Sequence, residues 1–436
     1  MYNHFSFACV GKANNDWVAN IPNQPSIRDG KYRSENLISA ALGGASANVL
    51  RAISTLGSVY GDHCSTKMLT RVGQAPQEGH YTKFGQYLAA KNAYDNVRAF
   101  LTRYRVTTVD VSAEGEGSGV AASLVTNFGA RIPGKAGRAI TTDPDKLEIK
   151  KDYNTQISID QDACELGVDK KQVLLADLSN AFCLAAHDLI ESVKNKIDSN
   201  ISDKDRVFID TARPLLAYIA ASVCVENNIP YVVDHGAKAW PKDKDTAELL
   251  SAVLKNADVL IVPDDAVVEG MKDNFRDSEL LFERLTGKHI EKDRNGKIIN
   301  VTDSQGGRAY NAHTVIMSNS TTPVCLYHDG EVSNSFVEKA EEAINAVGVG
   351  DTRDGALLFF LAKGEEMAMA VEKASAVATI RIQYPDNDWK DHFYEEILRN
   401  ERFKKLFRDD LEELESVIVQ QAPVAAENGV HREPSS

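Results

Sequence analysis

Short apolar runs alternate with amphipathic segments through the second half of the chain, and this alternation constrains the fold more than any other feature. The apolar runs have the length and composition of buried strands; they are VLLADLS (173–179), VFID (207–210), YVVDHG (231–236) and VLIVPDD (259–265). The segments between them, at 184–197, 214–227 and 245–255, have the pattern of helices. Parallel strands require such crossover helices, so the alternation predicts an α/β fold whose parallel sheet carries helices on both faces.

Polar residues follow directly on the first predicted strand. Residues 5–10 (FSFACV) form an apolar run that ends at Gly11, and Asn14 and Asp16 come immediately after it. Ligands of open α/β sheets bind outside the carboxyl ends of the strands, so Asn14 and Asp16 are predicted to bind a ligand. The alternative is an Asx turn that only leads the chain out of the strand.

A glycine pair precedes the first predicted helix. Gly43 and Gly44 form a turn, Ser46 is a plausible N-cap, and an apolar stripe follows that ends at Gly57. Asn48 therefore falls in the first helical turn, where Asn is a mediocre residue unless its side chain has another task. Either its side chain has such a task, or it faces solvent.

Residues 345–356 (NAVGVGDTRDGA) lead through a glycine loop into an apolar helix. Gly348 and Gly350 lack a Cβ, so the backbone can adopt positive φ and a ligand can approach closely. The first amide groups of the helix have no intrahelical partner, and together with the helix dipole they favour an anion beside Asp351. Asp351 there fits a general base that deprotonates an attacking hydroxyl while the amides hold a phosphoryl group. Asp351 could instead be only the helix N-cap.

Two stretches depart from the strand–helix alternation. Residues 105–145 combine alternating apolar residues with Gly-rich turns, which predicts antiparallel strands that form a flap over a site. Residues 272–313 are polar with clustered charges, and part of them is predicted to be an insertion or a long loop. After a hairpin-like pair at 314–318 and 324–327, helices are predicted at 365–382 and 397–421, followed by a disordered tail at 422–436.

Charge and cysteine usage exclude several classes of function. The formal net charge of −14 argues against a general binder of nucleic acid or anionic membranes, since both need a cationic face. The six cysteines are scattered without a C-x-x-C pair and the histidines show no metal-ligand pattern, so neither a zinc site nor a disulfide framework is predicted.

A Rossmann loop is not predicted either, because Gly348-x-Gly350 lacks a third glycine at the right spacing. Without a signal-peptide pattern or a membrane-length apolar run, a cytoplasmic location is expected.

Three motifs in this order resemble the ribokinase-like (PfkB) family of carbohydrate and nucleoside kinases. They are Gly11-x-x-Asn14-x-Asp16, Gly43-Gly44-x-x-x-Asn48 and Gly348-Val349-Gly350-Asp351. The resemblance implies a three-layer, doubly wound and mostly parallel sheet with a small β-strand lid, whose strands are expected at about 17–40 and 105–145. The expected organisation is a kinase domain at 1–385, a helical segment at 386–421 and the tail.

The resemblance also implies a reaction. Asp351 is expected to take the proton from a sugar hydroxyl that attacks ATP, while the backbone amides of Gly348, Val349 and Gly350 stabilise the transferred phosphoryl group and Mg²⁺ bridges phosphates. The implied substrate-binding residues are Asn14, Asp16, Gly43, Gly44 and Asn48. A nucleoside would suit them as well as a sugar. Lid strands often pair two subunits in this family, so a homodimer is a further expectation.

The nucleotide side departs from the family pattern. Residues 345–346 (Asn-Ala) stand where the family has Asp-Thr, and Asp264 takes the place of the Asn in its Asn-x-x-Glu motif. Residues 318–323 stand at its Thr-Leu-Gly-x-x-Gly motif, with residues 302–307 as a competing placement. The predicted nucleotide-binding residues are Asp264, Ser318 and Ser320. These departures leave open a second function, that of a weakly active or inactive relative that binds a sugar or nucleotide as a sensor.

Overall fold

A nine-stranded sheet forms the centre of the molecule. The computed structural model describes residues 3–21, 26–28, 31–33, 38–70, 72–73, 75–78, 84–111, 119–126, 129–131, 148–150, 155–161, 187–236, 240–241, 244–263, 266–269, 271, 278–293, 297–304, 306, 310, 312–318, 324–335, 340, 348–384 and 388–421. The strands are β1 (His4–Gly11), β2 (Asn14–Ile21), β3 (Ser26–Arg28), β4 (Lys31–Arg33), β5 (Ile38–Gly43), β6 (His63–Thr70), β7 (Val106–Asp110), β8 (Gly119–Thr126), β9 (Gly129–Arg131), β10 (Glu148–Lys150), β11 (Thr155–Gln161), β12 (Asp205–Asp210), β13 (Tyr231–Asp234), β14 (Val259–Pro263), β15 (Lys288–Lys292), β16 (Ile298–Asp303), β17 (Thr314–Ser318), β18 (Val324–His328) and β19 (Glu331–Ser335).

The described residues form eleven α-helices. They are α1 (Ala45–Tyr60), α2 (Phe84–Arg103), α3 (His187–Asp198), α4 (Pro214–Glu226), α5 (Lys244–Lys255), α6 (Ser278–Thr286), α7 (Val349–Ala362), α8 (Met367–Ile382), α9 (Trp389–Arg399), α10 (Glu401–Leu406) and α11 (Leu411–Gln421), with a 3₁₀ turn at Arg408–Asp410. None of the described helices combines the length and the apolarity needed to cross a lipid bilayer.

The main sheet has the order β19-β18-β17-β14-β13-β12-β1-β6-β7. Strand β1 pairs in parallel with β6 and β12, and the parallel pairing continues through β13 and β14 to β17. Strands β17, β18 and β19 form an antiparallel meander at one edge, which confirms the predicted hairpin. The carboxyl ends of the parallel strands therefore meet along one edge of the sheet.

Both faces of the sheet are buried, as the alternation in β1 demonstrates. Phe7 and Cys9 pack into the apolar cluster that contains α1, α7, α8 and α9, whereas Ala8 and Val10 pack into the cluster that contains α4 and α5. Successive strand residues point to opposite faces, so apolar residues at both parities require helices on both sides. The predicted three-layer, doubly wound α/β fold is confirmed.

A second sheet of four strands, which we call the small sheet, has the order β11-β8-β2-β5. Strand β2 begins three residues after β1 ends and pairs in parallel with β8 and antiparallel with β5, and β8 pairs antiparallel with β11. Strands β2, β5 and β8 fall within or at the borders of the ranges expected for a lid, while β11 lies beyond them.

One strand assigned to the flap belongs elsewhere. Strand β7 (Val106–Asp110) pairs in parallel with β6 and forms the edge of the main sheet. The prediction of an antiparallel flap strand was wrong there, because α2 links β6 to β7 as a crossover helix; Val106 packs with Val97 and Leu101 of α2, and Val109 packs into the cluster on the opposite face. Alternation alone cannot distinguish such an edge strand from a flap strand. The flap's turns at 112–118 and 132–147, like the predicted strand at 173–179, lie outside the described residues.

Two local predictions need correction. Helix α1 begins after Gly44, not at an N-cap Ser46, whose Oγ instead donates to the Val10 carbonyl oxygen at 2.9 Å. The same helix continues past Gly57 to Tyr60, because a Cβ at Gly57 would lie 2.7 Å from Cys64 Sγ and the missing side chain permits close packing on β6. Within 272–313, residues Ser278–Thr286 form helix α6, whose Leu281, Phe282 and Leu285 are buried in the core, and the insertion or long loop in part of this range stays a prediction.

The C-terminal segment is helical but broken. The helix predicted at 397–421 is divided at Asn400, whose Oδ1 accepts hydrogen bonds from the backbone N–H groups of Arg402 (3.0 Å) and Phe403 (3.2 Å) and so caps α10. Asn is a strong N-cap residue, which explains the break. Trp389, Phe393 and Phe407 are buried against the α1–α7–α8 side of the core. The tail at 422–436 lies outside the described residues.

Candidate active site

Helices α1 and α7 approach each other closely, and this packing brings two predicted motifs together. A Cβ built on Gly355 in α7 would lie 2.5 Å from the Val49 carbonyl oxygen and 2.8 Å from the Ala52 Cβ in α1. Real Cβ atoms do not tolerate such distances, so the helices can lie this close only because residue 355 is glycine. The amino-terminal turns of both helices, with Asn48 and Asp351, meet as a result.

Asn48 and Asp351 form a direct hydrogen bond. Asn48 Nδ2 donates to Asp351 Oδ2 at 2.8 Å, although 303 residues separate the two in sequence. Asn48 is 4% exposed, which excludes the solvent-facing alternative, and its Oδ1 has no hydrogen-bond partner among the described residues. An amide with one end on a carboxylate and the other end unsatisfied can still accept a hydrogen bond from a ligand.

The helix cap is Gly348, not Asp351. Gly348 has a left-handed conformation with φ of 70°, and Val349 is the first helical residue. Asp351 is therefore the third residue of α7, partly exposed, with its carboxylate engaged by Asn48. The N-cap interpretation of Asp351 was wrong, because the positive φ at Gly348 starts the helix three residues earlier.

The first turn of α7 is open at Gly350. A Cβ built there would find no heavy atom within 4 Å, and the residue is exposed. The first intrahelical bond runs from the Thr352 N–H to the Gly348 carbonyl oxygen at 2.9 Å, so the amides of residues 348–351 have no intrahelical partner. Free amides at a helix amino terminus beside open space form a ready site for an anion.

The loop after β1 packs directly on the glycine pair. A Cβ on Gly44, which has φ of 90°, would lie 2.2 Å from the Lys12 carbonyl oxygen and 3.0 Å from Asn14 Oδ1. Asn14 is buried and pairs with Gly43 between β2 and β5. Asn14, Gly43, Gly44 and Asn48 therefore lie together. For Asp16 the structure describes the backbone in β2 and not the side chain.

The predicted nucleotide side is described only in part. Ser318 is the last residue of β17, in register with Pro263 at the end of β14. Asp264 and Ser320 lie outside the described residues, as do residues 345–346. Their assignment to the nucleotide stays a prediction.

Three carboxylates near Asp351 were not identified from the sequence. Asp210 and Asp234 are register partners at the ends of β12 and β13. Their Oδ1 atoms accept hydrogen bonds from the backbone N–H groups of Ala212 (2.8 Å) and Gly236 (2.9 Å). Asp354, one turn along α7, binds the Arg353 guanidinium at 2.8 and 3.1 Å. The rule that selected Asn14 and Asp16, a polar residue at the carboxyl end of a strand, would also have selected Asp210 and Asp234.

Burial, with a smaller contribution from neighbouring carboxylates, raises the pKa values of Asp351 and Asp234. Burial raises the pKa of Asp351 to about 6; the Asn48 hydrogen bond opposes this shift, the charges of Asp354 and Asp210 add to it, and Arg51 opposes it. Burial, and then the charge of Asp354, raises the pKa of Asp234 to about 8. A carboxylate whose pKa lies near 6 is ionised at neutral pH yet basic enough to accept a proton, which suits a general base.

A family comparison identifies the chain. The model of the pfkB family of carbohydrate kinases matches residues 164–388, which is just over half of the 436 residues. This chain belongs to the pfkB family. The resemblance drawn from the three motifs is thereby confirmed, although two of those motifs lie outside the matched residues.

Solved structures share the fold of this pfkB chain. A possible 1-phosphofructokinase from Thermotoga maritima has a TM-score of 0.53 and 13% identity, over 89% of this chain and 97% of that one. The tetrameric inhibited form of phosphofructokinase-2 from Escherichia coli has a TM-score of 0.50 and 14% identity, over 91% of this chain and 100% of that one. A carbohydrate kinase from Agrobacterium tumefaciens has a TM-score of 0.50 and 11% identity, over 95% and 97%. The search of curated proteins found no match. Family and fold together support a kinase that acts on a sugar or a nucleoside.

Proposed function

We propose that this pfkB protein transfers the γ-phosphoryl group of ATP to a hydroxyl of a small sugar or sugar-like substrate, with Asp351 as the general base. The observation that carries the proposal is the Asn48–Asp351 hydrogen bond of 2.8 Å beside the open first turn of α7. It joins the motif expected to bind sugar to the motif expected to bind the phosphoryl group. A base must lie within hydrogen-bond reach of the proton that it takes.

On the substrate side, Asn14, Asp16, Gly43, Gly44 and Asn48 hold the hydroxylated substrate. Support comes from the packing of the Lys12–Asn14 loop on Gly44 and from the buried, unsatisfied Oδ1 of Asn48. An unsatisfied buried acceptor costs about 1–3 kcal/mol. A substrate hydroxyl that donates to this oxygen removes that cost and lies next to the Asp351 carboxylate.

On the phosphoryl side, the amides of Gly348, Val349 and Gly350 stabilise the charge that develops during transfer. The open space at Gly350 and the amides of the first turn of α7, which have no intrahelical partner, fit a phosphoryl group. Asp264, Ser318 and Ser320 contact the nucleotide. Mg²⁺, which takes most of its ligands from phosphate oxygens and water, supplies positive charge at the phosphates when it is bound with ATP.

The reaction requires Asp351 to be ionised before the substrate arrives. With a pKa of about 6, most Asp351 side chains are carboxylates at pH 7.5. Asn48 holds one carboxylate oxygen, which leaves the other free to accept the substrate proton. Once protonated, Asp351 is neutral beside the transferred phosphoryl group and no longer repels it.

The test is a panel assay with a matched variant. Wild-type protein, Asp351→Asn and the exposed control Asp409→Asn are assayed for ADP release with ATP/Mg²⁺ and a panel of sugars and nucleosides. We expect turnover of one class of substrate, a loss of about 10²–10⁴ in Asp351→Asn, and no change in Asp409→Asn. Ligand-induced thermal shifts without turnover of any member would support the sensor function instead. The panel also decides between a sugar and a nucleoside.

A further inference from the structure

Helix α1 carries a buried arginine on the same face as Asn48. Arg51 lies three residues after Asn48, and residues with this spacing are neighbours on a helix surface. It is 5% exposed, although a guanidinium is charged at every pH at which proteins fold. Burying a charge in this way is costly unless nearby groups compensate it, so its surroundings are informative.

Arg51 approaches the turn that begins α7. A Cβ built on Gly348 would lie 3.1 Å from Asn48 Nδ2 and 3.6 Å from Arg51 Nη2. Two side chains of α1, one amide and one guanidinium, therefore meet the same glycine at the entrance of the anion site. Asn48 also donates a hydrogen bond to Asp351.

The charges around Asp351 come from four elements. Asp354 lies on its own helix, Asp210 at the end of β12 and Asp234 at the end of β13, and each interacts unfavourably with the ionised Asp351. Arg353 is engaged by Asp354. From α1, Arg51 acts in the opposite direction and favours the ionised form.

We propose that Arg51 is a positioning residue for the general base: its guanidinium, held beside Gly348, keeps Asp351 ionised and in contact with Asn48 against the three surrounding carboxylates. The proposal deepens the proposed function and rests on it for the role of Asp351. By favouring the ionised form of Asp351, Arg51 extends the activity of the enzyme to lower pH.

The first test is the pH profile of kcat/KM between pH 5 and pH 9. Arg51→Met and Arg51→Gln remove the charge, Arg51→Lys retains it, and Arg381→Met is the matched control, a buried arginine of α8 that donates to the Tyr384 carbonyl oxygen. A nearby opposite charge lowers a carboxyl pKa, so removal of the Arg51 charge should raise the pKa of Asp351. If the pKa of Asp351 rises by one unit from about 6, kcat/KM at pH 6 falls roughly fivefold, whereas kcat/KM at pH 9 stays nearly unchanged.

We expect the acidic limb of the kcat/KM profile to move to higher pH in Arg51→Met and Arg51→Gln. The limb should return towards the wild-type position in Arg51→Lys and should not move in Arg381→Met. An equal loss of activity at all pH values would overturn the proposal, because it would mean that Arg51 only supports the fold or contacts phosphate.

A second measurement separates this inference from the proposed function. The Asp351 carboxyl is titrated by ¹³C NMR in protein with labelled Asp, and its signal is assigned by its loss in Asp351→Asn. If the wild-type protein phosphorylates nothing, the proposed function fails, yet a higher Asp351 pKa in Arg51→Gln still supports the role of Arg51. An identical titration in both proteins refutes that role even in an active kinase.

Discussion

Replacing Gly355 by alanine should separate the two helices that bring Asn48 to Asp351. The added Cβ would lie 2.5 Å from the Val49 carbonyl oxygen, and an ordinary carbon–oxygen contact needs about 3.4 Å. The backbones must therefore move apart by about 0.9 Å. The same displacement would lengthen the Asn48–Asp351 hydrogen bond from 2.8 Å to about 3.7 Å, beyond hydrogen-bonding range.

Both stability and activity should respond to this change. Overpacking of this kind costs about 1–3 kcal/mol in the free energy of unfolding, which the higher helix propensity of alanine offsets by about 1 kcal/mol. Urea unfolding measures the first effect, and kcat/KM for phosphoryl transfer measures the second. The loss of a hydrogen bond to a charged group, worth about 1.5–3 kcal/mol, corresponds to a decrease of roughly 10- to 150-fold in kcat/KM.

Two glycines provide controls. In Gly57→Ala the new Cβ would lie 2.7 Å from Cys64 Sγ, on the side of α1 that faces β6, so stability should fall while the Asn48–Asp351 contact persists. In Gly306→Ala the nearest atom would be 3.6 Å away, and neither property should change. A Gly355→Ala protein as stable and as active as the wild-type protein would refute the conclusion that Gly355 is needed for the close approach of α1 and α7.

Two further variants test the site electrostatics. Asn48→Ala removes the donor that lowers the pKa of Asp351, so the acidic limb of the kcat/KM profile should move to higher pH, and an unmoved limb would exclude Asn48 as a partner of the base. Asp234→Asn tests stability, because burial raises the folded-state pKa of Asp234 from 3.8 to about 8. Between these two pH values the folded state binds more protons than the unfolded state, so the free energy of unfolding falls as the pH rises through this window. The melting temperature of Asp234→Asn should therefore fall less than that of the wild-type protein between pH 5 and pH 9, and equal slopes would contradict the assignment.

The fold followed from the sequence where local patterns carry the information. Apolar runs alternating with helices predicted the parallel sheet, because crossover connections leave a pattern within each βα unit. Strand β7 was misassigned because its pairing with β6 depends on where α2 packs, which the composition of residues 106–110 does not encode.

The candidate site was predicted in part for the same reason. The motifs around Asn14, Gly44, Asn48 and Asp351 are short and local, and the described members of this set lie together. Arg51 and Asp354 resemble ordinary charged helix residues in sequence. Their significance arises only from the close packing of α1 on α7, which depends on Gly355 and Val49 being neighbours across 306 positions.

The role of Asp351 as general base is decided by the rate of phosphoryl transfer in Asp351→Asn, measured in a single turnover at saturating ATP/Mg²⁺ and substrate. The substitution preserves the size of the side chain and removes its ability to accept a proton, so substrate affinity and melting temperature should stay close to those of the wild-type protein. We expect a transfer step slower by about 10²–10⁴. An unchanged transfer rate in this variant would contradict the assignment of Asp351 as the general base.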